Sequence, residues 1–143
     1  MEKGFVLWFT GLPGSGKSTI AHTLLEKLNS LGLRAQILSS DALRKVMTPN
    51  PKYTEEERDI VYGTLVYVAR LLTDNGVNVI IDATGNKRKY RDKARREIQH
   101  FMEAYVKCPI EICIERESKR GVNSYGAPRN IYILSLIHIS EPT

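Results

Sequence analysis

From Gly11 to Thr19 the chain reads Gly-Leu-Pro-Gly-Ser-Gly-Lys-Ser-Thr, three glycines and a proline followed at once by a lysine and two hydroxyl residues. Its first eight positions fit GxxxxGK[ST], a set whose chemistry is the holding of a polyphosphate. Glycines let the backbone curl until successive amides point inward at phosphate oxygens, and a helix N-terminus just beyond adds partial positive charge. In that reading Lys17 reaches the β and γ phosphates and Ser18 supplies a hydroxyl to Mg²⁺. Gly11, Leu12, Pro13, Gly14, Ser15, Gly16, Lys17, Ser18 and Thr19 are therefore the expected ATP-binding residues, with Lys17 also catalytic. The alternative is a glycine turn that binds nothing.

Three further groups fall where they would face the same ligand. Ser39-Ser40-Asp41-Ala42-Leu43-Arg44 follows a strand-like stretch. Asp41 there could orient or deprotonate an acceptor hydroxyl, and Arg44, one helical turn on, could clamp an anion; Asp41 could equally be only a helix N-cap. Ile80-Ile81-Asp82 has the apolar-run-then-aspartate form of a carboxylate that holds Mg²⁺, or Asp82 caps the next turn. Arg58 is either a substrate clamp or a surface partner of Glu55. Arg116, Lys119, Arg120 and Arg129 border or lie in a polar segment at about 117–130, which reads as a lid bringing arginine onto the transferring phosphoryl group.

These residues need elements to position them, and the hydrophobic pattern supplies alternating strands and helices. Strands are expected at 5–10, 35–39, 77–83 and 104–107, and helices at 16–31, 41–46, 54–74, 87–99 and 109–116. The first strand is too apolar to alternate, as in a strand buried on both faces. Thr54-Glu55-Glu56-Glu57 is a capping box, in which Glu57 can reach back to the threonine amide. Strict alternation implies an α/β fold, a parallel sheet with helices on both faces and a ligand site at the strand C-termini.

Composition agrees with one soluble domain: 143 residues, 42% hydrophobic, 26% charged, net charge +5. No apolar run is long enough for a bilayer and no signal segment leads the chain, so no membrane partner and a cytoplasmic location are expected. Cys108 and Cys113 have neither zinc nor redox spacing and read as reduced packing residues; His22, His100 and His138 are scattered. The run at 87–96 holds seven basic residues against one acidic, which asks for a local anionic partner or a solvated face. Residues 134–143, LSLIHISEPT, resemble the translation of a transposase adapter used in sequencing libraries. The expected organisation is thus a kinase-type phosphate-loop domain at 1–133, incomplete at its C-terminus and marginal as written, with a non-native tail at 134–143; an apolar strand at 133–139 is the alternative.

Taken together the motifs resemble the adenylylsulfate kinase family of P-loop kinases, over residues 8–132. The resemblance rests on WFTGLPGSGKSTIA, on Asp41-Ala42-Leu43-Arg44 for the family's Asp-x-x-Arg, and on Tyr53-Thr54-Glu55-Glu56-Glu57-Arg58. It rests also on Glu103 to Cys113 beside the family's Pro-Leu-x-x-Cys block, and on Arg129-Asn130-Ile131-Tyr132. It implies a P-loop NTPase fold and phosphorylation of the 3'-hydroxyl of adenosine 5'-phosphosulfate from MgATP, with ATP and Mg²⁺ as cofactors. By the same match Arg44 and Arg58 hold the phosphosulfate nucleotide and Asp41 acts near the acceptor hydroxyl. Three positions depart from the pattern: Ser39 replaces the first aspartate of Asp-Gly-Asp-x-x-Arg, Val61 replaces an asparagine, and Gly85 stands where the family has a serine that can be phosphorylated. A phosphoserine at that site is ruled out.

Asp-Ala-Thr-x-Asn followed by arginines is also similar to small kinases acting on a nucleoside, a polynucleotide end or aminoacyl-tRNA. A non-catalytic ATP-binding regulator is the reading outside catalysis. The expected partner is a small-molecule nucleotide, not nucleic acid, with a homodimer left open.

Overall fold

The computed structural model describes residues 2–85 and 87–120. Four parallel strands, β1 (Val6–Thr10), β2 (Ala35–Ser39), β3 (Asn78–Asp82) and β4 (Phe101–Tyr105), form one sheet in the order β2-β3-β1-β4. Five helices connect and follow them: α1 (Lys17–Ser30), α2 (Ser40–Met47), α3 (Glu55–Asp74), α4 (Arg88–Glu97) and α5 (Ile110–Arg120).

Both faces of the sheet are covered, which is why β1 is apolar up to its last residue, Thr10. Val6 and Trp8, with Val79 and Ile81, pack with Tyr62, Leu65, Val66 and Ala69 of α3 and Tyr90 and Ala94 of α4. Their neighbours Phe9 and Ile80 point the other way, to Ala21 and Leu28 of α1. The register Phe9↔Asp82 and Ser39↔Asp82 aligns the strand ends, so the loops leaving β1, β2 and β3 emerge along one edge. No helix among the described residues is long and apolar enough to cross a membrane.

Thr54 caps α3 as expected, its hydroxyl accepting from the Glu57 amide at 3.1 Å. The Glu57 carboxylate instead accepts from the Lys52 amide at 2.8 Å and from Arg44 at 3.0 Å, which ties the α2–α3 loop to both helices. The fourth strand differs more: it begins at Phe101, three residues before the expected start. Glu103 at its centre argues against a strand in isolation, but here its carboxylate receives Arg91 at 3.2 Å and Arg95 at 3.1 Å. Helix α5 runs on to Arg120, so the first residues expected of a lid, 117–120, are its last turn. The rest of that segment, Arg129 and the 134–143 tail lie outside the described residues.

The basic run has a partner within the protein. Lys87 and Lys89 of the α4 region meet Glu55 at 2.7 and 3.0 Å, and Lys89 also meets Asp59 at 3.0 Å. Hydrogen bonds and charge from the two lysines lower the Glu55 carboxyl to about 2. Arg91, 1% exposed, is bonded to Glu103 on the strand below.

That last pair generates a stability prediction. Arg91→Met leaves Glu103 without its buried partner and should cost about 3 kcal/mol, and Arg91→Lys should not restore it because an ammonium lacks the planar fork. Arg95→Ala, at an exposed pair, should cost under about 1 kcal/mol. Urea unfolding followed by the emission of Trp8, the single and fully buried tryptophan, measures all three.

Candidate active site

Between Thr10 and Lys17 the chain must reverse from the end of β1 into the start of α1 while remaining thin. Gly14, at φ 82°, lies so close to α5 that a Cβ there would sit 2.9 Å from the Cys113 carbonyl oxygen. Gly16, at φ 103°, precedes α1 in the left-handed region, and no side chain caps the helix N-terminus. No acidic residue occupies the first turn of α1. A helix start left without carboxylate or cap is one whose amides are available to an outside anion.

These amides border a cavity of about 450 Å³ lined by residues 13–20, by Ser40 and Asp41 at the start of α2, by residues 82–84 after β3 and by Arg116 of α5. Gly11 and Leu12, expected among the binding residues, are not in the lining. Gly11 is a spacing residue, since a Cβ on it would come within 2.6 Å of the Val106 carbonyl oxygen. The Leu12 carbonyl accepts from Lys17 Nζ at 3.0 Å, which folds the lysine across its own loop. Lys17 is 7% exposed, and burial holds its ammonium below the usual lysine range, with the Asp82 and Asp41 charges opposing that shift.

Ser18 Oγ donates to Asp82 Oδ2 at 2.7 Å, so the two residues expected at a metal ion meet across 64 positions of sequence. A hydroxyl and a carboxylate are the hard oxygen donors Mg²⁺ takes, and the pair fits it. The nucleotide also has a fit beyond the motif: Ser15 Oγ is buried in the loop with no hydrogen-bond partner among the described residues.

Asp41 is not the N-cap of α2. Ser39 takes that role, its hydroxyl accepting from the Asp41 amide at 3.1 Å and the Ala42 amide at 3.3 Å. Asp41 is thereby placed in the first turn and contributes to the cavity wall. Arg116 also reaches it, its Nη1 donating to the Gly14 carbonyl at 2.8 Å. Arg44 and Arg58 are not among the lining residues. Arg44 is 3% exposed, paired with Glu57 and stacked 5.2 Å from the Tyr53 ring centroid, one turn behind Asp41. Arg58 is half-buried in the first turn of α3, while Glu55, its expected surface partner, is engaged by Lys87 and Lys89.

Sequence reasoning gave no role to Ser40 and Thr84, which line the cavity; their signal was position alone, immediately after strand ends. Gly85 is buried at φ 54°, where a Cβ would lie 3.0 Å from the Trp8 ring, so a side chain is both strained and crowded at the position that differs from the family's serine. Cys108 and Cys113 are free thiols, and burial pushes the Cys113 thiol up to about 11.

Comparison with known proteins agrees with this geometry. A sequence model of the adenylylsulphate kinase family matches residues 3–142. A probable adenylyl-sulfate kinase of Pyrococcus abyssi is 40% identical over 117 residues, covering 82% of this chain and 67% of that protein. The adenylyl-sulfate kinase of Rippkaea orientalis is 38% identical over 141 residues, covering 99% of this chain and 76% of that one. The APS kinase CysC of Mycobacterium tuberculosis, solved in complex with AMPPNP and APS, superposes with a TM-score of 0.76 at 32% identity, over 83% of this chain and 71% of that one. The uncapped helix start and the carboxylates around it thus sit in a fold shared with these enzymes, and the chain belongs to the adenylylsulphate kinase family.

Proposed function

We propose that the protein transfers the γ-phosphoryl group of ATP to the 3'-hydroxyl of adenosine 5'-phosphosulfate, giving 3'-phosphoadenosine 5'-phosphosulfate and ADP. The observation that carries this reading is the cavity itself, in which an amide-lined helix start, Lys17 and two carboxylates from neighbouring strand ends face one volume. Family membership names the acceptor. Magnesium, a cytoplasmic location and a homodimer belong to the same reading.

In this proposal each side chain has a limited task, because phosphoryl transfer is mostly positioning and charge stabilisation. The amides of the 13–19 loop hold the β and γ phosphates, and Lys17 leaves the Leu12 carbonyl to neutralise the oxygens between them. Ser18 and Asp82 hold Mg²⁺, which offsets charge on the bridging phosphate oxygens. Asp41 orients the acceptor hydroxyl and takes its proton as the oxygen bonds to phosphorus and the bond to ADP breaks. Arg116 moves from the Gly14 carbonyl to the transferring group. Arg44 and Arg58 serve the phosphosulfate nucleotide; for Arg44 this requires the anion to take the place of Glu57, with Tyr53 holding the guanidinium plane in position.

The α4 ion pairs count against the reading in which this helix grips RNA, because most of its basic side chains are already matched by carboxylates of α3, β4 and α4 itself.

An ADP-release assay with candidate acceptors tests the assignment. Turnover should depend on adenosine 5'-phosphosulfate, and turnover with a nucleoside or RNA end in its place would overturn it. Asp41→Asn should lower kcat by about 10²- to 10⁴-fold with ATP affinity little changed. Lys17 supplies a pH test. Burial lowers its pKa in the free protein and bound phosphate raises it, so binding takes up a proton at alkaline pH and ATP affinity falls as pH rises through that window. Calorimetric titrations in two buffers of different ionisation enthalpy should show the uptake growing as pH rises through the alkaline range, and Lys17→Met should abolish it.

A further inference from the structure

Residues 83–85 leave the end of β3, and Ala83 and Thr84 form part of the cavity wall beside Asp82. A buried loop of this kind carries backbone polar groups that water does not reach, and each needs a partner. Here the partners are four side chains from three other elements. Trp8 Nε1 of β1 donates to the Ala83 carbonyl at 3.2 Å, and Thr10 Oγ1 of the same strand donates to the Thr84 carbonyl at 2.6 Å. The Tyr62 hydroxyl of α3 accepts from the Gly85 amide at 3.0 Å. Arg91 Nη1 of α4 donates to the Gly85 carbonyl.

These groups are themselves held. Tyr62 is stacked between Tyr90, 4.4 Å between centroids, and Trp8, 6.1 Å away. Arg91 is fixed from behind by Glu103, which Arg95 also engages. Thr10 is 1% exposed and ends the strand that feeds the phosphate loop. The loop is therefore gripped from β1, α3 and α4 at once, within three residues of the carboxylate that meets Ser18.

We infer that Thr10, Tyr62 and Arg91 are positioning residues for phosphoryl transfer: by gripping the backbone of residues 83–85 they aim Asp82 and Thr84 at the nucleotide's magnesium-bearing phosphates. The inference rests on the proposed reading of the cavity as a MgATP site. It separates the duties of the two loops. The 13–19 loop binds phosphate whether or not metal is present, whereas the gripped loop contributes through the metal side.

The test uses the full chain with Thr10→Val, which keeps size and β-branching but removes the donor, and Thr10→Ser, which restores it. Tyr62→Phe keeps the aromatic stack and removes the hydroxyl, with its bonds to the Gly85 amide and to the Ser40 side chain, and stands in if Thr10→Val does not fold. Calorimetry with ATP is run with Mg²⁺ and with EDTA. For Thr10→Val and Tyr62→Phe the magnesium-dependent gain in ATP affinity should fall about five- to tenfold, the equivalent of one hydrogen bond. Affinity in EDTA should stay within about twofold of the parent protein and Thr10→Ser should recover the gain, differences below a few tenths of a kcal/mol being small against that effect. Amide exchange in a peptide covering residues 80–90 should rise by about tenfold in the same two variants, with peptides of α1 unchanged. Equal loss with and without magnesium, or exchange unchanged at residues 80–90, overturns the inference while leaving the MgATP site intact. Failure of the parent protein to bind ATP at all overturns both.

Discussion

A phosphate-binding turn must expose backbone amides while excluding the protein's own side chains from the space the ligand takes. Here that constraint falls on the passage from β1 to α1. The glycine at residue 14 lets α5 press against the turn from outside, and α1 begins with neither a capping side chain nor an acidic residue. The sheet register serves this turn as well: aligned ends of β1, β2 and β3 bring Asp41 and Asp82 to the same edge from distant parts of the chain. The lysine bonds to a carbonyl of its own loop and Ser18 to Asp82, so the polar groups of the site are gathered at that edge.

The local signals were legible in the sequence wherever one residue decides a backbone state. The phosphate loop, the threonine start of α3 and the bounds of β2 needed no tertiary information. Where a partner lies far along the chain, sequence reading lost ground. Glu103 falls outside the strand expected at 104–107, yet it sits at the centre of β4 with Arg91 and Arg95 paired to its carboxylate. The basic run reads as asking for a local anionic partner or as a solvated face, and Glu55 and Asp59, some thirty positions earlier on α3, supply that partner from within the chain. Asp41 was the cap candidate in the sequence, yet the backbone path gives that role to Ser39, two residues earlier.

Charge is distributed in three different ways among the described residues. On α4 the ion pairs are mostly exposed and do little more than seat a helix, their energetic worth being small in water. In the cavity the charges are fewer and drier. Lys17 is held there at a cost in solvation that a polyphosphate would relieve, so part of the ligand's affinity is prepared by discomfort in the free protein. Arg44 shows a third arrangement, a buried guanidinium kept in shape by a carboxylate and an aromatic ring.

The contact between Trp8 and Gly85 has a consequence for substitution. A residue bearing a Cβ at 85 meets the indole at 3.0 Å, and the backbone there already lies at φ 54°. A Cβ arriving at 85 obliges the indole to give by a few tenths of an ångström and sets an L side chain on left-handed backbone. The two positions are thus coupled through one contact: a hydroxyl-bearing residue in this loop carries a strain that the indole's neighbours beneath α3 must absorb.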